Sequence, residues 1–201
     1  MGSGMDLEYR VKQQFASNIE NTSLAASNLD NATVLASSSI VNTLLQGGKV
    51  LSCGDGGAAF ISQHFMALMI HRFERERPGL PAISLDTSNA ILSSVVNDQT
   101  IRAEQLFSIQ INALGHPGDI LLALATSHHS ASINQAIAAA KERQMRVVLI
   151  NGGKDHEAAS LLGEQDTQIP IPGDSTARIQ EVQLLVIHCL CDLIDAQLLG
   201  G

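Results

Sequence analysis

From Lys49 onward, short β-forming runs alternate with helical periods, and few architectures accommodate that alternation. The runs are 49–53, 81–85, 119–124, 146–150 and 167–171. Helical patterns fill 58–73, 89–96, 101–113, 130–143 and 155–162, and a long one runs over 175–199. Strands that are nearly all apolar and return through helices build a parallel sheet covered on both faces. The expected fold is therefore α/β, with five parallel strands flanked by helices. With no Trp, one Tyr and five Phe, aliphatic side chains and alanine must fill its core.

The segment 5–47 carries no strand signal. Leu7, Val11, Phe15 and Ile19 step by four, and Val34, Leu35, Val41, Leu44 and Leu45 continue an apolar stripe, which gives two helices joined near 28–31. Nothing local buries both stripes. This helical arm must pack on the α/β core or on the same element of another subunit, so an oligomer is predicted. Residues 1–4 read as a leader left by expression, and 48–201 as the α/β domain; 201 residues suit one domain plus an appendage.

Twelve Lys and Arg against twenty Asp and Glu give a net charge of −8, which excludes a phosphate-backbone partner and hence direct nucleic-acid binding. The one dense basic group, Arg72, Arg75 and Arg77, is interleaved with Glu74 and Glu76 and reads as a solvated helix end. Three cysteines, Cys53, Cys189 and Cys191, form neither a disulfide framework nor a CxxC pair. With no signal peptide and no recognisable membrane span, a cytoplasmic protein without membrane attachment is expected.

Parallel sheets of this kind bind ligands beyond the carboxyl ends of their strands, where the strand order reverses. Two loops there have suitable chemistry. Gly54-Asp55-Gly56-Gly57-Ala58 lies between a strand and a helix, so its backbone can approach an anion held by the first helical N–H groups. An ordinary tight βα turn is the alternative. The second loop, Ala125-Thr126-Ser127-His128-His129-Ser130, offers hydroxyls and helix-terminal amides without Lys or Arg. Its Ser127 or Ser130 is equally a helix cap.

Taken together, CGDGGAA followed by QHF, Asn97-Asp98, GDILLALATSHHS and ARIQEVQLLVIHCLCDLI resemble the SIS-domain sugar isomerases, in particular their phosphoheptose isomerase branch. The resemblance runs from Leu7 to Leu199. It implies a three-layer SIS fold with a five-stranded parallel sheet, a helical arm, and a homotetramer with sites at subunit interfaces. It also implies a sugar-phosphate site at Gly54, Asp55, Gly56, Gly57, Ala58, Asp98, Thr126, Ser127, Ser130 and Gln180.

Active members of the branch isomerise sedoheptulose 7-phosphate, which requires a base and an acid to move a proton between neighbouring carbons. By resemblance the acid is His188. The family's glutamate base stands four residues after the histidine matched by His64, where this chain has Leu68. Some members bind zinc, which here would fall to His64, Gln180 and His188. Without the anionic ligand no metal is favoured, and the two histidines are equally satisfied by neighbours. Asp55, Ala58, Ala125, His128 and His129 also depart from the family's GNGGS and STSGNS loops. A carboxylate at 55 repels phosphate, whereas a protonated His128 or His129 would attract it below about pH 6.5.

These departures imply an isomerase scaffold without isomerase chemistry. The same pattern, with GHPGD at 115–119, TARIQE at 176–181 and CLCDLID at 189–195, resembles the DiaA-like branch, whose tetramers bind the replication initiator DnaA. Leu198, Leu199 and Arg72 are candidate partner contacts. The alternative is an active phosphoheptose isomerase or a sugar-phosphate sensor.

Overall fold

The computed structural model describes residues 6–200 apart from 87, 88, 99, 101, 127, 128 and 155. Two helices open the chain, α1 (Leu7–Ala26) and α2 (Asp30–Leu45). Then follow β1 (Val50–Gly54), α3 (Ala58–Ile70), β2 (Ala82–Ser84), α4 (Asn89–Asn97), α5 (Leu106–Leu114), β3 (Ile120–Ala125), α6 (Ala131–Glu142), β4 (Arg146–Gly152), α7 (His156–Ser160), β5 (Thr167–Ile171) and α8 (Thr176–Leu199). The helix anticipated over 101–113 is divided: a 3-10 turn at Ala103–Gln105 precedes α5.

All strand pairs are parallel, in the order β2-β1-β3-β4-β5. β3 is buried along its whole length, and the two-residue period divides its side chains between the layers. Ile120, Leu122 and Leu124 join Ile40, Phe65, Ile187 and Leu190 in the layer under α2, α3 and α8. Leu121, Ala123 and Ala125 join Ile111, Ile133 and Ile137 under α5 and α6. This is the three-layer α/β arrangement anticipated from the alternation.

The GHPGD segment builds the amino end of this sheet. Buried Asp119 accepts from the backbone N–H groups of Lys49 and His116, both at 2.9 Å, and from Lys49 Nζ at 2.5 Å. The lead-ins of β1 and β3 are thereby pinned together. Burial alone would raise the Asp119 pKa, but these bonds and the Lys49 charge hold it below the ordinary carboxylate value.

Two sequence expectations need correction. Arg77 does not belong to a solvated helix end: its side chain and that of Asp195 on α8 are each 2% exposed, paired at 2.5 Å. The guanidinium also donates to the Leu68 and Met69 carbonyls in the last turn of α3, which have no partner within the helix, which helps explain a helix shorter than the periodicity anticipated. Second, α8 is long and apolar enough to cross a membrane by length and composition. Its Ile179, Val182, Val186, Ile187, Leu190, Cys191 and Ile194 are instead buried in the α/β core, the usual fate of a helix apolar on a broad face.

The arm behaves differently from the core. α2 packs on α8 and β5, and α1 touches α8. The α1 stripe itself faces outward, with Phe15 69% and Ile19 64% exposed.

Candidate functional site

The strand order reverses direction at β1, which has β2 on one side and β3 on the other. A sheet with this order opens its ligand crevice between β1 and β3, outside their carboxyl ends. The two loops singled out in the sequence meet there. Asp55 N donates to Leu124 O at 3.3 Å, and Asp55 Oδ1 accepts from Thr126 N at 3.4 Å. The Asp55 carbonyl accepts from Ala58 N at 2.9 Å, closing the turn into α3.

Space requires glycine at 54, and a side chain at 57 would displace Gln180. A Cβ on Gly54 would lie 2.4 Å from the Ala58 carbonyl group, and one on Gly57 would lie 2.2 Å from Gln180 Nε2. The loop thus passes directly against Gln180 on α8. One turn further along α8, the fully buried Gln183 donates to the carbonyls of Ala125 and Ile150, at 3.0 and 3.1 Å. It ties α8 to β3 and β4 behind the site.

A cavity of about 370 Å³ opens at this end of the sheet, lined by Asp55, Gly56, Asp86, Leu92, Phe107 and Ser132 among others. Asp86 was not singled out in the sequence. Its carboxylate accepts from Gly54 N at 3.0 Å. Burial pushes its pKa up to about 6; hydrogen bonds from Ser62, Gly54 and Ser84 oppose the rise and the nearby Asp55 charge adds to it. The thiol of Cys53, buried beside the two carboxylates, is raised well above its ordinary value by burial, then by Asp86 and Asp55.

On the other side of the sheet, His64 on α3 and His188 on α8 face each other with Nε2 atoms 3.2 Å apart. The rings are edge to face, and Phe73 stacks on His188 at 5.5 Å between centroids. Burial, then the neighbouring His188, lowers the His64 pKa. One N–H···N hydrogen bond joins the two Nε2 atoms, its direction set by the tautomers. Two imidazole nitrogens at this separation suit the edge of a zinc tetrahedron, which is about 3.3 Å for Zn–N near 2.0–2.1 Å. The remaining donors do not fit: no group of three His, Cys, Asp or Glu converges among the described residues. Leu68, at the position of the family's glutamate, packs against the apolar core.

Other expected site residues divide. Ser130 is the N-cap of α6, its hydroxyl accepting from Ile133 N at 3.3 Å. Ala58, without a hydroxyl, is buried at the start of α3. Asp98 lies outside the cavity lining. Its carboxylate accepts from the N–H and hydroxyl of Thr100, at 2.8 and 2.6 Å, which hold its pKa below the ordinary value. Ser127 and His128 fall outside the described residues. His129 pairs with Glu157 at 3.2 Å on the surface. Arg72 pairs with Glu76 at 2.5 Å; Leu198 packs partly against the core, and Leu199 is exposed.

The comparisons with known proteins agree with this geometry. Residues 14–152 match the SIS domain family. Phosphoheptose isomerase of Chromohalobacter salexigens is 49% identical over 197 residues, covering 98% of this chain and 99% of that protein. That of Alkalilimnicola ehrlichii is 47% identical, covering 96% and 97%. Among solved structures, a phosphoheptose isomerase from Francisella tularensis superposes with a TM-score of 0.90 at 37% identity, covering 95% of this chain and 99% of that one. One from Neisseria gonorrhoeae gives 0.88, also at 37% identity, covering 94% and 99%. The chain belongs to the SIS-domain family, in its phosphoheptose isomerase branch.

Proposed function

We propose that this chain keeps the sugar-phosphate crevice of its family without the isomerase chemistry, and acts as a DiaA-like homotetramer that binds the initiator DnaA in the cytoplasm. Leu68 carries the reading. A partly buried apolar side chain packed against the core stands where the family's base belongs, and loss of a general base typically costs about 10²- to 10⁴-fold in rate. Opposite His188 stands His64, with Phe73 stacked on its ring. The acidic chain meets a protein partner, not DNA, and several equivalent surfaces on an oligomer supply avidity. Leu199 and Arg72, with Leu198 at the end of α8, are the contacts proposed for that partner.

The second reading, an active sedoheptulose 7-phosphate isomerase or sensor, draws on the names of the relatives and on the retained histidine pair. Only in that case would zinc be held, by His64, Gln180 and His188.

One experiment separates the two. Purified protein is assayed with sedoheptulose 7-phosphate, with and without zinc, and in parallel for pull-down of DnaA at micromolar concentration. The expected result is retention of DnaA without turnover. Turnover abolished by His188→Ala, or failure to retain DnaA, overturns the non-catalytic regulator.

A further inference from the structure

Two backbone amides where the β1 and β3 loops meet are already engaged by carboxylates. Thr126 N donates to Asp55 Oδ1 at 3.4 Å and Gly54 N to Asp86 Oδ2 at 3.0 Å. Thr126 N belongs to the loop leading into α6, and Gly54 N to the last residue of β1, where the chain enters the loop before α3. Amides in such positions ordinarily serve an anionic ligand. Here an anion must displace a carboxylate from its amide and then remain beside it, with a second carboxylate behind. The lining of the 370 Å³ cavity contains both Asp55 and Asp86 and no Lys or Arg. Its remaining wall is largely apolar, formed by Leu85, Leu92, Leu106 and Phe107.

We infer that Asp55 is a specificity-determining residue that selects ligands by charge at the β1/β3 crevice. It penalises phosphate and other anions there and favours the uncharged, hydroxyl-bearing part of a sugar. Three features support this assignment. Coulomb repulsion from a fixed carboxylate is strongest where low-dielectric walls limit screening. Carboxylates accept charge-assisted hydrogen bonds from hydroxyl groups, so the features that repel phosphate suit a polyol. The apolar wall meets the C–H face of a sugar ring or chain, as in small-molecule sites generally.

The inference rests on the sugar-phosphate reading of the crevice, and binding measurements distinguish failure of one from failure of the other. Inorganic phosphate, sedoheptulose 7-phosphate and unphosphorylated sedoheptulose are titrated calorimetrically into the wild-type protein and into Asp55→Asn. The amide has nearly the same shape, and its oxygen still accepts from Thr126 N. The expected result is about ten-fold tighter binding of the two phosphate ligands to Asp55→Asn, equivalent to about 1.4 kcal/mol, with sedoheptulose bound about three-fold more weakly as its charge-assisted hydrogen bond is lost. Asp86→Asn, which keeps Asp55 and removes the charge behind it, should shift the phosphate ligands the same way by a smaller factor. It provides an independent arm if Asp55→Asn does not fold. Phosphate ligands binding no tighter to either variant, or all three ligands shifting together, overturn charge selection and leave the site intact. No binding of any of the three to any form of the protein overturns the sugar-phosphate reading, and this inference with it.

Discussion

Asp86 shows how a single carboxylate is governed by its surroundings. Its pKa stands at about 6 against an ordinary 3.8, first because it is buried. An acid with a raised folded-state pKa binds more protons folded than unfolded throughout that window. Stability therefore falls as pH rises from about 4 to about 6, and the protonated form's contribution is absent above it. Asp86→Asn is predicted to flatten this slope and to stabilise the protein at pH 7 by about 1–2 kcal/mol, since its amide oxygen still accepts from Gly54 N. Denaturant titrations at pH 5 and pH 7 measure both; a loss of stability at pH 7 contradicts the prediction. Asp119 has the opposite sign. Its pKa is held below the ordinary value, chiefly by Lys49 hydrogen bonds against the cost of burial, so its contribution is present at neutral pH and lost as pH falls through the folded pKa. In the sequence Asp86 is merely a polar residue ending a strand. The parallel pairing Ser52↔Ser84 is what brings it to the Gly54 amide.

At the level of elements, the Arg77–Asp195 pair couples the end of α3 to α8, the two helices that carry His64 and His188. Breaking one partner leaves a buried unpaired charge, which typically costs about 3–5 kcal/mol, whereas replacing both by apolar residues is often neutral. Arg77→Met alone is predicted to destabilise by about that amount, and Arg77→Met with Asp195→Leu to recover most of it. Equilibrium unfolding of the three proteins tests this; equal losses in the single and double variants contradict it. The element boundaries were largely legible, because caps and glycines mark them. β5 begins and ends as anticipated, and α1 starts behind the capping Asp6, whose side chain accepts from Tyr9 N at 3.0 Å. Arg77 was misplaced because charge interleaved with charge describes a solvated surface equally well. A guanidinium that meets helix-terminal carbonyls and a carboxylate 118 residues away leaves no local pattern.

For the whole molecule, the exposed arm matters most. Leu7, Tyr9, Val11, Phe15 and Ile19 are all more than half exposed. Beside the arm, an apolar groove of about 380 Å³ lies against α8, lined by Leu29, Val34, Leu185, Val186 and Cys189 among others. Exposed apolar surface of this kind suits an association face, and the proposed homotetramer would use it. Phe15→Glu combined with Ile19→Glu is predicted to lower the mass in solution to half or less of the wild-type assembly without unfolding the α/β core. Light scattering coupled to gel filtration, with circular dichroism as the control, measures this. An unchanged mass removes α1 from the interface.

The sequence by itself determined the layered α/β architecture, the apolar stripe on α1 and the two loops that border the crevice. Each rests on local periodicity or on the backbone needs of glycine at a turn. Its departures at Leu68 and Asp55 were also readable, because a residue type is visible without coordinates. Tertiary structure alone decided what those positions touch: Asp55 on the Thr126 amide, Asp86 on Gly54, His64 against His188, and Arg77 against Asp195. These contacts join residues far apart in the chain. Strand order, burial and the approach of one helix to another fix them, and no local pattern in the chain encodes such distances.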